Sequence, residues 1–215
     1  MEIIEGTSAS DYLFGNASAE YMFGRDGDDS LFGGAGKDSL YGGNGSDSLF
    51  GQEGSDRIYG GNGSDSLFGY TGNDNLVGGA GDDFVNGAGF AYDDFTGPQN
   101  FGDGERDVLT GGTGRDTFQL WGGSGRSGVN VYYDSATNSD YALITDFNVN
   151  EDSIALTSTA DGIGNVSYSL GASPSGVPTG TGIYIDKGGT SELIAVVQNI
   201  APSSLSLDGA YFVYS

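Results

Sequence analysis

The chain contains no cysteine and no histidine. Disulfides, thiolate nucleophiles, the usual zinc sites and every histidine-based triad are thereby excluded, and most familiar hydrolases with them. Positive charge is almost as scarce: 7 Lys and Arg face 30 Asp and Glu, leaving a formal net charge of −23. Such a balance repels nucleic acid and anionic membranes, so neither is expected as a partner and cations are the natural ones. No stretch approaches the roughly 20 apolar residues of a membrane span, so no membrane insertion is expected. The acidic start Met1-Glu2-Ile3-Ile4-Glu5 lacks a basic region followed by an apolar run, so no cleavable signal peptide is read there. What the chain has in excess is glycine, 41 of 215 residues, against a usual share of about 7 percent. An ordinary helical domain is therefore not expected. Nor is a solvated tail, because 13 Tyr, 12 Phe and 1 Trp are too many aromatics for one.

A period of nine organises the first part of the sequence. Counting Gly6 as position one, nine consecutive units run to Asn86. Position six reads Asp11, Glu20, Asp29, Asp38, Asp47, Asp56, Asp65, Asp74 and Asp83, and position eight reads Leu13, Met22, Leu31, Leu40, Leu49, Ile58, Leu67, Leu76 and Val85. Position four is glycine in seven units: Gly27, Gly36, Gly45, Gly54, Gly63, Gly72 and Gly81. After an interruption at 87–101, two further units follow, Gly102 to Thr110 with Asp107 and Gly111 to Gln119 with Asp116. One carboxylate, one aliphatic and one glycine hinge thus recur at fixed phase.

The pattern resembles the GGxGxDxUx nonapeptide of RTX calcium-binding proteins. Its cleanest copies are Gly33-Gly34-Ala35-Gly36-Lys37-Asp38-Ser39-Leu40-Tyr41 and Gly60-Gly61-Asn62-Gly63-Ser64-Asp65-Ser66-Leu67-Phe68. The resemblance implies an all-β fold, a right-handed parallel β-roll with two nonapeptides per coil.

The residues support the same reading. Six glycine-rich positions suit a tight loop whose carbonyls can approach an ion, and three positions form a short strand. Position eight then points to one face and positions seven and nine to the other. Each unit buries one aliphatic side chain, worth roughly 1.5 to 3 kcal/mol, while ordering nine residues costs on the order of 9 to 18 kcal/mol of backbone entropy. Bound metal is expected to supply much of the difference. Alternate units share an edge, so Asp29, Asp47, Asp65 and Asp83 stack on one side and Asp38, Asp56 and Asp74 on the other. Neighbouring carboxylates about 5 Å apart repel by roughly 1 kcal/mol in water and several-fold more at an effective dielectric near 20. A cation between them reverses the sign.

The available ligands are carboxylate and carbonyl oxygens with no nitrogen or sulfur, which favours Ca²⁺ over the smaller, strictly octahedral Mg²⁺. The resemblance implies that each ion sits between loops two units apart, held by both position-six carboxylates and by loop carbonyls. The implied pairs are Asp29 with Asp47, Asp47 with Asp65, Asp65 with Asp83, Asp38 with Asp56, and Asp56 with Asp74. If the interruption loops out, Asp74 pairs with Asp107 and Asp83 with Asp116. Several ions are expected, about five to seven by the resemblance to such repeats. Residues 1–23 depart from the pattern, with Ala9 and Ser18 at position four and Glu20 in place of Asp. They are read as a capping coil that binds no calcium, and residues 24–119 as the calcium-binding roll.

Position nine is aromatic through most of the roll. Phe14, Phe32, Phe50 and Phe68 are expected to form one ladder and Phe23, Tyr41 and Tyr59 the other. Two readings stand: cross-strand packing that stiffens the sheet, or, at Phe32, Tyr41, Phe50, Tyr59 and Phe68, a docking stripe for a second copy, a glycan or the chain's own C-terminal part. The partners expected beside calcium are a homo-oligomer or filament and a cell-surface glycan or matrix.

Beyond Gln119 the period is lost. Residues 120–215 are expected to form a β-sandwich-like cap, with two strands around a turn in 142–157 and further strands at Val166–Leu170, Gly182–Asp186, Ser191–Gln198 and Ala210–Tyr214. Ile144-Thr145-Asp146-Phe147 and Asp152-Ser153-Ile154-Ala155-Leu156 resemble the segment that follows the repeats in secreted RTX proteins, including serralysin-type proteases. That resemblance implies an uncleaved C-terminal type I secretion signal and an extracellular or cell-surface location. The expected function is a secreted calcium-binding structural, surface or matrix module, with a non-catalytic export and folding tail of a larger secreted enzyme or toxin as the alternative. Enzymatic activity is not expected: there is no G-x-S-x-G, and the only unassigned acidic clusters left for a glycosidase are Asp93-Asp94, Asp134 and Asp140.

Overall fold

The computed structural model describes residues 1–88, 105–120, 141–156, 159–160, 164–165, 167–187 and 190–214. Its first strands are β1 (Glu2–Glu5), β2 (Tyr12–Phe14), β3 (Glu20–Asp26), β4 (Ser30–Gly36), β5 (Ser39–Asn44), β6 (Ser48–Gly54), β7 (Arg57–Asn62), β8 (Ser66–Thr71), β9 (Asn75–Ala80) and β10 (Phe84–Asn86). Past the interruption come β11 (Arg106–Thr113), β12 (Thr117–Gln119), β13 (Tyr141–Ile144) and β14 (Ser153–Leu156). The chain continues with β15 (Thr159–Ala160), β16 (Gly164–Asn165), β17 (Ser167–Ala172), β18 (Gly180–Lys187), β19 (Thr190–Gln198) and β20 (Phe212–Tyr214).

Successive strands alternate between two sheets, as expected of two nonapeptides per coil. One sheet has ten strands in the order β1-β3-β5-β7-β9-β11-β13-β19-β18-β17, and the other eight in the order β2-β4-β6-β8-β10-β12-β14-β20. Pairing from β1 through β14 is parallel and in repeat register, Leu31 lying beside Leu49 and Leu49 beside Leu67. The fold is a parallel β-roll. Its core is one file of position-eight side chains, Met22 through Val85, continued by Leu109, Phe118, Ile144, Ile154 and Phe212, all buried.

The strands are longer than the sequence suggests. β4 and β6 run from position seven through position four of the next unit, with Gly33 and Gly51 left out of an otherwise paired register. Coils pack so closely that the loop glycines join the sheet. Gly54, with φ of 140°, sets its α-carbon against the carbonyl oxygen of Gly36 in the preceding coil, where no side chain fits.

The roll does not stop at Gln119. β13 and β14 do not pair with each other as a hairpin around a turn: β13 joins β11 and β19, and β14 joins β12 and β20, all parallel. The reason is that Asp152-Ser153-Ile154-Ala155 keeps the phase of positions six to nine after the glycines are gone. In place of a separate sandwich-like cap, the described C-terminal strands extend both sheets. The antiparallel run β19-β18-β17 ends the larger one. The acids Asp93-Asp94, Asp134 and Asp140 and most of the 87–101 interruption lie outside the described residues.

Candidate metal centre

Every position-six aspartate from Asp29 to Asp116 is buried, with exposures of 0 to 2%. The strand that follows each one fixes its place: the position-eight side chain is locked into the core file, and the aspartate two residues earlier turns back under its own loop. The seven expected pairs are all brought together. In each, the backbone N–H of one aspartate donates to Oδ1 of the aspartate one coil on: Asp29 to Asp47 at 2.8 Å, Asp47 to Asp65 at 2.8 Å, Asp65 to Asp83 at 2.9 Å. On the other edge the distances are 2.8 Å for Asp38 to Asp56, Asp56 to Asp74 and Asp74 to Asp107. Asp83 reaches Asp116 at 3.0 Å across the interruption.

The second oxygen is what distinguishes these groups. Oδ2 of Asp29, Asp38, Asp47, Asp56, Asp65, Asp74, Asp83 and Asp116 is buried and accepts no hydrogen bond. A buried carboxylate oxygen without a donor is costly, and a column of them more so. All of these oxygens except that of Asp116 share a small cradle with a carbonyl from the next coil. A Cβ built on Gly51 would stand 2.5 Å from Asp56 Oδ2 and 2.8 Å from the Gly69 carbonyl oxygen. On Gly33 it would stand 2.8 Å from Asp38 Oδ2 and 2.6 Å from the Gly51 carbonyl oxygen. Position-four glycines supply a second row of carbonyls. Gly27, Gly45, Gly63 and Gly81 stack α-carbon on carbonyl along one edge, and Gly36, Gly54 and Gly72 along the other. Among the described residues no three acidic side chains converge; what each step brings together is two carboxylates with backbone carbonyls beside them. These hard oxygens fit a calcium-class cation.

Burial drives the carboxyl groups toward their protonated form. Asp47 and Asp116 are pushed up to about 6, and Asp56 and Asp83 to about 7. Desolvation is the main cause, partly offset by the backbone N–H each accepts and reinforced by neighbouring acids. Asp74 is raised by burial and by Asp107 beside it.

At the ends the pattern changes. Asp11 Oδ2 accepts the Thr7 N–H at 2.6 Å and the Thr7 hydroxyl at 2.9 Å. Asp152, which sequence reasoning misses, continues the ladder by accepting the Asp116 N–H at 3.0 Å, and its Oδ2 accepts the Asn148 N–H at 2.8 Å. Its D-S-I-A spelling at the repeat phase was the available signal. Glu105, at a position where glycine recurs elsewhere, accepts the Gly72 N–H through Oε1 at 2.7 Å.

The aromatic ladders form as expected. Phe14, Phe32, Phe50 and Phe68 stack at centroid spacings of 5.0, 4.7 and 5.1 Å, and Phe23, Tyr41 and Tyr59 at 5.0 Å, with planes within 10°.

Paired parallel ladders closed by glycine turns, each turn burying one carboxylate beside its equivalent in the next coil, define a repetitive acidic β-roll. The family model for the RTX calcium-binding nonapeptide repeat matches in four copies, at residues 1–31, 23–58, 59–91 and 101–126. Together these span more than half of the chain, and the chain belongs to that family; its repeats bind Ca²⁺. No curated protein sequence matches it. Among solved structures it is similar to the AlgE6R3 subunit of the Azotobacter vinelandii mannuronan C5-epimerase, at 21% identity over 97% of this chain and 80% of that one, with a TM-score of 0.23. It is also similar to the extracellular lipase LipA of Serratia marcescens, at 15% identity over 98% of this chain and 39% of that one, with a TM-score of 0.21. No helix among the described residues is long and apolar enough to cross a membrane.

Proposed function

We propose that this chain is a secreted, non-catalytic calcium-binding module that completes its fold on Ca²⁺ outside the cell and serves as a structural, surface or matrix element. In this reading Asp29, Asp38, Asp47, Asp56, Asp65, Asp74, Asp83, Asp107 and Asp116, with carbonyls of the position-four glycines, hold the ions between successive coils. Residues 1–23 cap the near end, and residues 120–215 close the far end and carry the type I export signal. The observation that carries the reading is the row of eight buried Oδ2 atoms without a hydrogen-bond donor. A bound cation supplies charge neutralisation there; the chain supplies the spacing, through the glycine loops, and the register, through the aliphatic file.

Extracellular sites typically bind calcium with dissociation constants of about 10⁻⁴ to 10⁻³ M. In a calcium-poor cytosol the acidic repeats then stay unfolded and threadable, and they fold after export. Self-association through the half-buried aromatic rows Phe32, Phe50 and Tyr41, Tyr59 fits the same role. Ring faces inside a ladder are covered by the next ring, so the row offers ring edges to a flat partner such as a second copy.

The test is a calcium titration of the full chain followed by circular dichroism and small-angle scattering. Sheet signal is expected to rise with calcium while the radius of gyration falls from about 50 Å, the unfolded value for this length, toward the value of about 17 Å for a compact chain. Unchanged spectra and size after chelation would refute the proposal.

A further inference from the structure

We infer that Glu20 and Asp38 form an additional divalent-cation site, one coil nearer the N-terminus than the aspartate pairs reach. The inference rests on the reading that the aspartate pairs hold calcium, and it reverses the expectation that residues 1–23 bind none.

Glu20 holds position six of the second unit, at the start of β3, and is fully buried. Its N–H donates to Asp38 Oδ1 at 2.8 Å, repeating the contact made at every aspartate pair. Its carboxylate enters the same kind of cradle. Oε2 accepts the Asn16 N–H at 3.1 Å and stands 2.9 Å from where a Cβ on Gly15 would lie, a point 1.9 Å from the Gly33 carbonyl oxygen. Oε1 is left with no partner, and neither is Asp38 Oδ2, itself 1% exposed. No cationic side chain serves them: the ion pairs among the described residues join Arg25 to Glu5 and Arg115 to Asp82.

The other edge shows what a closed end looks like. Asp11 occupies the equivalent place in the first unit, but Thr7 donates both its N–H and its hydroxyl to Oδ2. Position two of the next unit is Asn16, whose side chain turns away to Glu2 at 3.1 Å and to the Ser18 N–H at 2.9 Å. One edge therefore ends in a carboxylate satisfied by protein, and the other in a buried carboxylate with an oxygen unspent. The extra methylene of glutamate and the absence of a position-four glycine, replaced by Ser18, make this a looser cage than the aspartate steps. A large, geometrically tolerant cation of the calcium class suits it better than magnesium.

Native mass spectrometry of the full chain in saturating Ca²⁺ tests the site by counting ions. Glu20→Gln is expected to carry one ion fewer than the wild type with an unchanged circular dichroism spectrum. Glu20→Asp is expected to restore the count, and Asp11→Asn to leave it unaltered. An unchanged count in Glu20→Gln overturns the site, as does loss of several ions together, which would make Glu20 a structural residue. Should the wild type itself bind no calcium, the underlying reading fails first, and that outcome is visible without any variant.

Discussion

Asp83 lies between Asp65 and Asp116 with Asp82 beside it, and burial with these acids lifts its carboxyl to about 7. A folded-state value above the unfolded one means that the protonated group stabilises the fold. That contribution is complete below the ordinary carboxyl value of 3.8 and is lost as pH rises through about 6 at Asp47 and Asp116 and about 7 at Asp56 and Asp83. In chelator, sheet content by circular dichroism is therefore expected to be highest near pH 4, where protonation relieves the buried charges, and to be lost by pH 8. With calcium present the trend reverses, because protons and the cation compete for the same oxygens; parallel trends in both conditions would contradict the assignment. Gly54 carries a second prediction at this scale. Alanine there adds a Cβ at φ of 140°, a backbone strain on the order of 1–3 kcal/mol, and sets it 1.4 Å from the Gly36 carbonyl oxygen, so the coil must also shift. The Gly54→Ala chain is expected to need more calcium to fold, read as a shifted midpoint by circular dichroism. Most of these residues were legible from spacing alone, since aspartate, glycine and aliphatic recur at one phase. Glu20 was legible only as a departure, because the pattern does not reveal that its Oε1 is left without a donor.

Strands in this molecule are defined by what lies beside them. Each short element buries one side chain in the file and exposes the next ring to its neighbour, so β4, β6 and β8 are held through Phe32, Phe50 and Phe68 as well as through Leu31, Leu49 and Leu67. Stacked aromatic pairs are worth about 0.5–1.5 kcal/mol each beyond their buried area. Replacing Phe32 and Phe50 by serine is expected to lower the calcium-loaded melting temperature. If the ladder is also a self-association surface, sedimentation will show a loss of assembly in the same variant; unchanged sedimentation leaves the packing role alone. The strands beyond the repeats were less legible. Their existence showed in β-branched and aromatic runs, but β13 and β14 read as a hairpin because the glycines that mark a coil are missing. Other contacts do that work: both Asp146 oxygens accept the Gly111 and Gly112 N–H groups, at 3.0 and 2.8 Å, and dock the loop after β13 onto the preceding coil.

As a whole the molecule is a thin solenoid with a net charge of −23 and a core one side chain wide. Its two ends differ. The far end carries a second packed cluster of Tyr141, Leu193 and Val196 and the antiparallel strands β17 to β19. The near end leaves Ile3, Tyr12 and Phe14 exposed on β1 and β2, the edge strands of both sheets. Between these ends run the columns of buried carboxylates; under the proposed function they oppose folding until a cation enters, and the feature that destabilises the metal-free chain sets its dependence on calcium. The most direct measurement is anomalous diffraction from crystals grown in calcium. Two rows of calcium peaks are expected along the roll edges, each peak between successive coils and beside the Oδ2 atoms of paired aspartates such as Asp38 and Asp56. Ordered aspartates with no peak between them would contradict the account.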